Sequence, residues 1–168
     1  MKSFKILFLA LIVLTSCEVD NSEDIVIAAP VIDENNVLRT TIVQGSFEFT
    51  SIDLNTSASL SGDTLSMVAG DGNSFFNFEI KQFDGTGFYE ITDPSSDEGV
   101  EATYTINGVP PEANRIWNAI VNDTDPDEII ITAVTDTSVE GTFIFSAENT
   151  EEGSVIDFVS GAFTIELN

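Results

Sequence analysis

The residues nearest to a ligand array in this sequence are Asp123, Asp125 and Asp127, in the run Asn122-Asp123-Thr124-Asp125-Pro126-Asp127-Glu128. Carboxylates spaced i, i+2, i+4 match the first ligands of a calcium loop, where ~6–8 hard oxygens converge on the cation. An EF-hand also needs Gly at the sixth loop position and Glu at the twelfth, and here those positions hold Glu128 and Val134. The run is therefore expected to be a solvated acidic turn, with calcium at Asp123, Asp125 and Asp127 as the lesser alternative and no other cofactor. Asp71 and Asn73, in the glycine-rich turn Gly70-Asp71-Gly72-Asn73, make a poorer cation loop still.

Other constellations carry less chemistry. A Ser or Thr nucleophile without His needs a Lys or a terminal amine as its base. Lys81 is the one lysine beyond the N-terminal segment, and Phe78 stands where the Ser of a Ser-x-x-Lys pair would be. Paired carboxylates run glycoside hydrolysis when they flank a cleft. With 29 acidic residues chance pairs are everywhere, and no aromatic cluster marks one of them out. Arg115 and Trp117, two apart on an expected strand, could show a cation and an indole to a ligand. The simpler expectation is a rim Trp packed on the core with the Arg stem lying over it. The sequence thus points to no catalytic residue, and the chain is expected not to be an enzyme.

Cys17 is a different matter. Lys2 and Lys5 form a short positive region, and Ile6–Leu14 is an unbroken apolar run of nine residues. Such a run suits the ~7–15 residues of a signal-peptide core and is far short of the ~20 that span a bilayer. Leu14-Thr15-Ser16-Cys17 follows at once and resembles the lipobox of bacterial lipoproteins. Residues 1–16 are expected to be cleaved as a signal peptide, and the Cys17 thiol and new amine to carry acyl chains. One chain holds a protein at a membrane only marginally, whereas two or more hold it stably. Glu18, Asp20, Glu23 and Asp24 then make an acidic tether over residues 17–37. A tether of this kind resembles the surface-export signal of Bacteroidota lipoproteins and also spaces a domain from the headgroups. Within it, Ile25–Ile32 is apolar and contains Pro30, which an edge strand tolerates.

Charge excludes several classes of partner. Five Lys and Arg stand against 29 Asp and Glu, with no His, for a formal charge of −24 and a pI near 4.1. Nucleic acid is excluded, because nothing here neutralises a phosphate backbone. Docking on an anionic membrane through protein charge is disfavoured as well. The single Cys rules out an intrachain disulfide and a cysteine-based zinc site.

The elements that would position any site are strands. Phe76, Phe78 and Ile80 alternate with Asn77, Glu79 and Lys81. The same period runs through Ser46–Thr50, Ile129–Val134, Thr142–Ala147 and Phe163–Asn168. In a strand such alternation gives one apolar face. Turn residues punctuate the chain at Ser61-Gly62-Asp63, Gly70–Asn73, Asp84-Gly85, Asp93–Ser96, Asn107-Gly108, Asp125-Pro126 and Glu152-Gly153. Ser160-Gly161 interrupts the last strand and reads as a bulge. Leu38–Val43 fits a strand or a short helix. The expected fold is all-β: one antiparallel β-sandwich or flattened barrel of about 8–10 strands over residues 38–168. Thirteen Phe against one Trp and two Tyr are expected mainly to fill its core.

The C-terminal third carries a family pattern. Ile129-Ile130-Ile131-Thr132 is followed by Val139-Glu140-Gly141-Thr142-Phe143-Ile144-Phe145-Ser146-Ala147 and then Val159-Ser160-Gly161-Ala162-Phe163-Thr164-Ile165. This resembles the ending of the DUF6252 family, small lipoproteins of Bacteroidota. Gly87-Phe88-Tyr89-Glu90-Ile91 resembles an earlier strand of that family, with Phe88 in place of Thr. The resemblance spans about residues 45–168 and implies an all-β domain at the outer membrane. The family is functionally uncharacterised, so the resemblance implies no catalytic or binding residue.

The expected role is that of a lipid-anchored, cell-envelope interaction module without catalysis, binding another envelope protein or a glycan, with display at the cell surface expected from the acidic tether. The alternative is a lipocalin-like carrier, in which an apolar small molecule occupies a hollow interior.

Overall fold

Alternating residues become strands only where each apolar face finds another to cover it. The computed structural model describes residues 35–92, 99–121 and 127–168, and eleven strands satisfy that condition there. They are β1 (Val37–Ile42), β2 (Phe47–Thr50), β3 (Thr56–Ser61), β4 (Thr64–Gly70), β5 (Ser74–Ile80), β6 (Gly87–Glu90), β7 (Val100–Ile106), β8 (Arg115–Ala119), β9 (Glu128–Val134), β10 (Ser138–Asn149) and β11 (Ser154–Glu166). Two 3-10 turns, Val43–Gly45 and Asp53–Asn55, are the only helical pieces among the described residues. The chain is therefore all-β as expected, with one strand more than the upper expectation. Leu38–Val43 resolves into a strand that runs into the first 3-10 turn.

All strand pairings are antiparallel, in the order β2-β1-β11-β10-β8-β7-β5-β4-β3. The twelve-residue β10 forks the sheet. Its first half pairs with β9, which carries β6, and its second half pairs with β8 at Ala147 and Glu148. The sheet curls into a half-barrel until β3 returns to the C-terminus. There Ala58 and Leu167 form an isolated parallel bridge, and the Asn168 N–H donates to the Ala58 carbonyl at 2.9 Å. Asn36 closes the same seam. Its Nδ2 donates to the carbonyls of Thr56 (2.9 Å) and Asp53 (3.2 Å), while its Oδ1 accepts from the Glu166 N–H (3.1 Å). Among the described residues no buried side-chain polar atom lacks a partner.

The concave side is filled with rings. Phe76 lies at its centre, with ring centroids of Phe49, Tyr104 and Phe158 each 4.9 Å away. Phe78, Phe143, Phe145 and Phe163 extend the cluster, with centroid separations of 5.1 Å (Phe78–Phe143) to 6.4 Å (Phe143–Phe163). Tilted and edge-on pairs of this kind add about 0.5–1.5 kcal/mol each beyond the area they bury.

Two glycines make this packing possible. Gly141 is paired with Phe163 and Phe143 with Gly161, so Gly-x-Phe on β10 faces Gly-x-Phe on β11 in reverse. Each ring covers the glycine opposite, in the space a Cβ would need. Immediately beside this pair, Val159 and Ser160 together face Ile144, and Ser160 is left-handed at φ 53°. Ser160-Gly161 is thus the bulge expected from sequence, with Ser in the conformation glycine usually takes.

Two details depart from simple alternation. A register shift between Glu140 and Gly141 advances β9, so Ala133 lies opposite Glu140 and Val134 opposite Val139. Ala133 therefore leaves the face of Ile129 and Ile131, and Val134 joins it. Phe47 shares the face of Phe49 but stands 50% exposed at the edge of the sheet, its ring over Gly45.

Candidate functional site

Because directly opposed residues share a face, the register defines rows across the outer side of the sheet. One row runs Phe88 (β6), Ile130 (β9), Thr142 (β10), Ala162 (β11), Arg39 (β1) and Thr50 (β2). The next runs Glu90, Glu128, Ile144, the Val159-Ser160 bulge, Thr41 and Glu48. The bulge interrupts the pleat and leaves an open recess on each side. One, of about 250 Å³, is walled by Glu128, Ile130, Thr142, Ile144 and Ser160. The other, of about 280 Å³, is walled by Arg39, Thr41, Glu48, Thr50 and Ser160.

The β6–β9–β10 end of these rows is apolar and exposed. Phe88 is 75% accessible and Ile144 42%, with the half-buried Ile130 between their strands. Side chains this exposed contribute little to the fold, and a contiguous group of them marks an interaction surface more often than a scattered one does. Glu90 and Glu128 face each other directly beside it. Like charges directly opposed across strands destabilise a sheet. Neither carboxylate makes an ion pair with a described residue; Lys81–Glu101 at 3.1 Å and Arg115–Glu152 at 3.7 Å are ion pairs on other strands and turns.

The residues singled out by sequence fall elsewhere. Cys17, Asp123 and Asp125 lie outside the described residues. Asp127 holds strands together: its Oδ2 accepts from the Ser146 N–H at 3.1 Å and its carbonyl from the Ile91 N–H at 2.9 Å. Ser146 also donates through Oγ to Asp157 (2.7 Å), whose other oxygen accepts from Gln44 Nε2 (2.7 Å). Among the described residues no group of three or more Cys, Asp or Glu is placed to hold a metal ion. Asp71 caps its own turn, its Oδ1 accepting from the N–H groups of Asn73 (2.8 Å) and Ser74 (2.7 Å). That is the Asx turn its position invites.

Arg115 and Trp117 take the simpler of their two expected roles. Trp117 is 3% exposed beside Tyr104, and its Nε1 donates to Ser154 Oγ at 3.0 Å. The Arg115 guanidinium lies over the indole, 5.3 Å from its centroid. Burial raises the phenol pKa of Tyr104, against a lowering hydrogen bond with Ser74. Burial also raises that of Tyr89, whose hydroxyl reaches Asp84 Oδ1 (2.9 Å) and the Gly85 carbonyl (2.8 Å). Tyr104 belongs to the core and Tyr89 to its rim.

The outer rows were not visible in the sequence, because they join residues 39 to 162 through register alone. The one local signal was Phe88, an aromatic on the polar phase of a short strand.

Comparison with known proteins identifies the fold's family. Residues 53–165 match DUF6252, a domain of unknown function. The match spans two thirds of the chain, and the chain belongs to that family. It takes in β3 to β11 and leaves β1 and β2 outside. No curated protein and no solved structure matches the chain.

Proposed function

We propose that this DUF6252 chain is a lipid-anchored module of the bacterial cell envelope that works by binding, without catalysis, through the outer face of its half-barrel. The observation that carries this reading is the contrast between the two faces. The concave face is occupied by Phe76 and the rings around it, so the chain's own side chains fill the place an apolar ligand would take. That weighs against the lipocalin-like carrier, which needs a hollow of roughly 300 Å³ or more. The convex face instead leaves Phe88, Ile130 and Ile144 unfilled by the chain's own packing.

The anchor rests on the positive region, the nine-residue apolar run and Cys17 in its lipobox. A lipid tether and a short acidic leader would hold the domain near the membrane, while net charge keeps it from lying on anionic headgroups. The acidic residues after Cys17 favour display at the cell surface.

Two experiments test the reading. Cys17→Ala should leave the precursor uncleaved or release it from the membrane fraction; mature protein that stays membrane-bound without Cys17 would overturn the anchor. Photo-crosslinking from position 88 on intact cells should join the wild-type chain to a discrete envelope component. Absence of any adduct, with the protein folded and in place, would overturn the module.

A further inference from the structure

We infer that β6 and the outer face beside it accept an extended, cationic segment of a partner protein as an added β-strand. This deepens the module reading and rests on it. Three independent features of one place support it.

The first is a free edge. β6 pairs with β9, and among the described residues no strand pairs with its other side at Phe88 and Glu90; that edge closes at Thr92, whose N–H donates to the Val100 carbonyl (3.2 Å) while the Val100 N–H donates to the Thr92 hydroxyl (3.0 Å). An unpaired edge offers backbone N–H and C=O groups to another chain, and strand addition is a common way to recognise an extended peptide. Edges are usually blunted by Lys, Pro or a bulge. Gly87-Phe88-Tyr89-Glu90 has no Lys or Pro and no register shift against β9.

The second is apolar. Phe88, the most exposed of the ring-bearing side chains in the sheet, borders Ile130, and Ile144 lies in the neighbouring row.

The third is charge. Glu90 and Glu128 oppose each other one row along, and neither forms an ion pair with a described residue. On a strand added at β6, outward side chains recur every second residue. One would fall beside Glu90 and the next beside Phe88. The complementary segment therefore carries Lys or Arg at one position and an apolar residue two away. Its cation would lie directly beside Glu90, one strand spacing away, with Glu128 one strand further on, and would offset the repulsion between the two carboxylates.

The test must separate this site from the attraction any −24 protein exerts on a cation. The probe is a fluorescein-labelled peptide repeating Lys-Thr-Val-Thr, read by anisotropy on the purified full chain. A second peptide has the same charge, but Pro at its central Thr positions prevents strand addition. We expect the first peptide to bind at least about tenfold tighter than the second. A tenfold change corresponds to about one well-made contact.

Glu90→Gln with Glu128→Gln, and separately Phe88→Ala, should each cost about tenfold or more. Glu112→Gln with Glu151→Gln removes the same charge from exposed turns and should change binding less than about twofold, as diffuse attraction would. Circular dichroism and thermal melting establish that each variant is folded. Equal binding of the proline peptide, equal loss in the two charge-matched variants, or no binding at all overturns the inference.

The crosslinking experiment distinguishes the levels. If the Phe88→Ala/Glu90→Gln/Glu128→Gln chain still joins its envelope partner from a probe elsewhere on the outer face, the site is wrong and the module stands. If the wild-type chain joins nothing, the module itself fails.

Discussion

Gly161→Ala is the most discriminating perturbation of the fold. Gly161 is not among the glycines with positive φ, so alanine there is penalised by space and not by torsion. A Cβ would stand 2.5 Å from Cε2 and Cζ of Phe143 and 2.6 Å from Cδ2. Ordinary carbon contacts are about 3.5–4.0 Å, so three ring carbons overlap the methyl by roughly 1 Å. The ring has nowhere to retreat. Its centroid lies 5.1 Å from that of Phe78, 5.7 Å from Phe145 and 5.8 Å from Phe76. Overpacking of this kind costs about 1–3 kcal/mol.

Phe143→Leu removes the distal ring atoms and should by itself cost about 1–2 kcal/mol. In the double variant the new methyl occupies the vacated space. The double cost should then fall short of the sum of the singles by at least about 1 kcal/mol. Urea unfolding at unchanged m-value measures each leg, and thermal midpoints should move by roughly 2–8 °C per kcal/mol. Gly141→Ala is the built-in control. Its Cβ meets the Ile130 carbonyl as well as Phe163, so Phe163→Leu should fail to rescue it. Additive costs at Gly161 and Phe143, or a neutral Gly161→Ala, would refute the reasoning.

Four further outcomes follow from named contacts. Asn36→Ala should cost about 2–4 kcal/mol in urea, because it strands seam groups such as the Glu166 N–H and puts alanine at φ 55°; Asn36→Gly should recover only the torsional share. Trp117→Phe should lose about 1 kcal/mol with the Ser154 hydrogen bond, while Arg115→Ala, at an exposed ion pair, should change the melt little. Burial raises the phenols of Tyr104 and Tyr89 above 10.0 in the folded chain, so the unfolded chain deprotonates first. Stability should be level below about pH 10 and fall as pH rises toward the folded-state values; Tyr104→Phe should flatten that fall, and an unchanged slope would contradict the assignment. Glu90→Gln should raise the stability of the free chain by about 0.2–1 kcal/mol, since it relieves the opposed Glu128; a loss on urea titration would count against an uncompensated pair.

The sequence made the strands legible because their faces differ. Phe76, Phe78 and Ile80 announced β5, and Gly62 and Gly153 marked hairpins whose left-handed φ of 64° and 65° suits glycine. Ser160-Gly161 was readable as a bulge for the same local reason. Ala133 was not, because Thr132 is an extra residue in β9 against Glu140 and Gly141 of β10, and that register shift decides which way Ala133 points. β6, with four residues, was legible through the family pattern at Gly87–Ile91 and not through alternation. The outer rows were hidden for the reason that hides most β-surfaces: Phe88, Ile130, Thr142, Ala162 and Arg39 meet only once five strands are in register.

This division bears on where function can reside. The segments that carry the family resemblance, Gly141-Thr142-Phe143 and Gly161-Ala162-Phe163, prove to be one reciprocal packing device. Their spacing is set by ring against glycine: Phe143 and Phe163 face inward, while Thr142 and Ala162 belong to the outer row. A pattern of this kind specifies a half-barrel and leaves its chemistry unstated. What it does state is which residues are already accounted for. Once the glycines, the rings and the seam at Asn36 are assigned to the fold, the opposed Glu90–Glu128 pair and the exposed Phe88 stand out as features that cost the free chain stability or solubility and repay it nothing within the described structure. Local features that work against the fold are expected at functional sites. A cationic strand at the β6 edge would offset the repulsion and cover Phe88 together, which makes the outer face the first place to test the proposed binding.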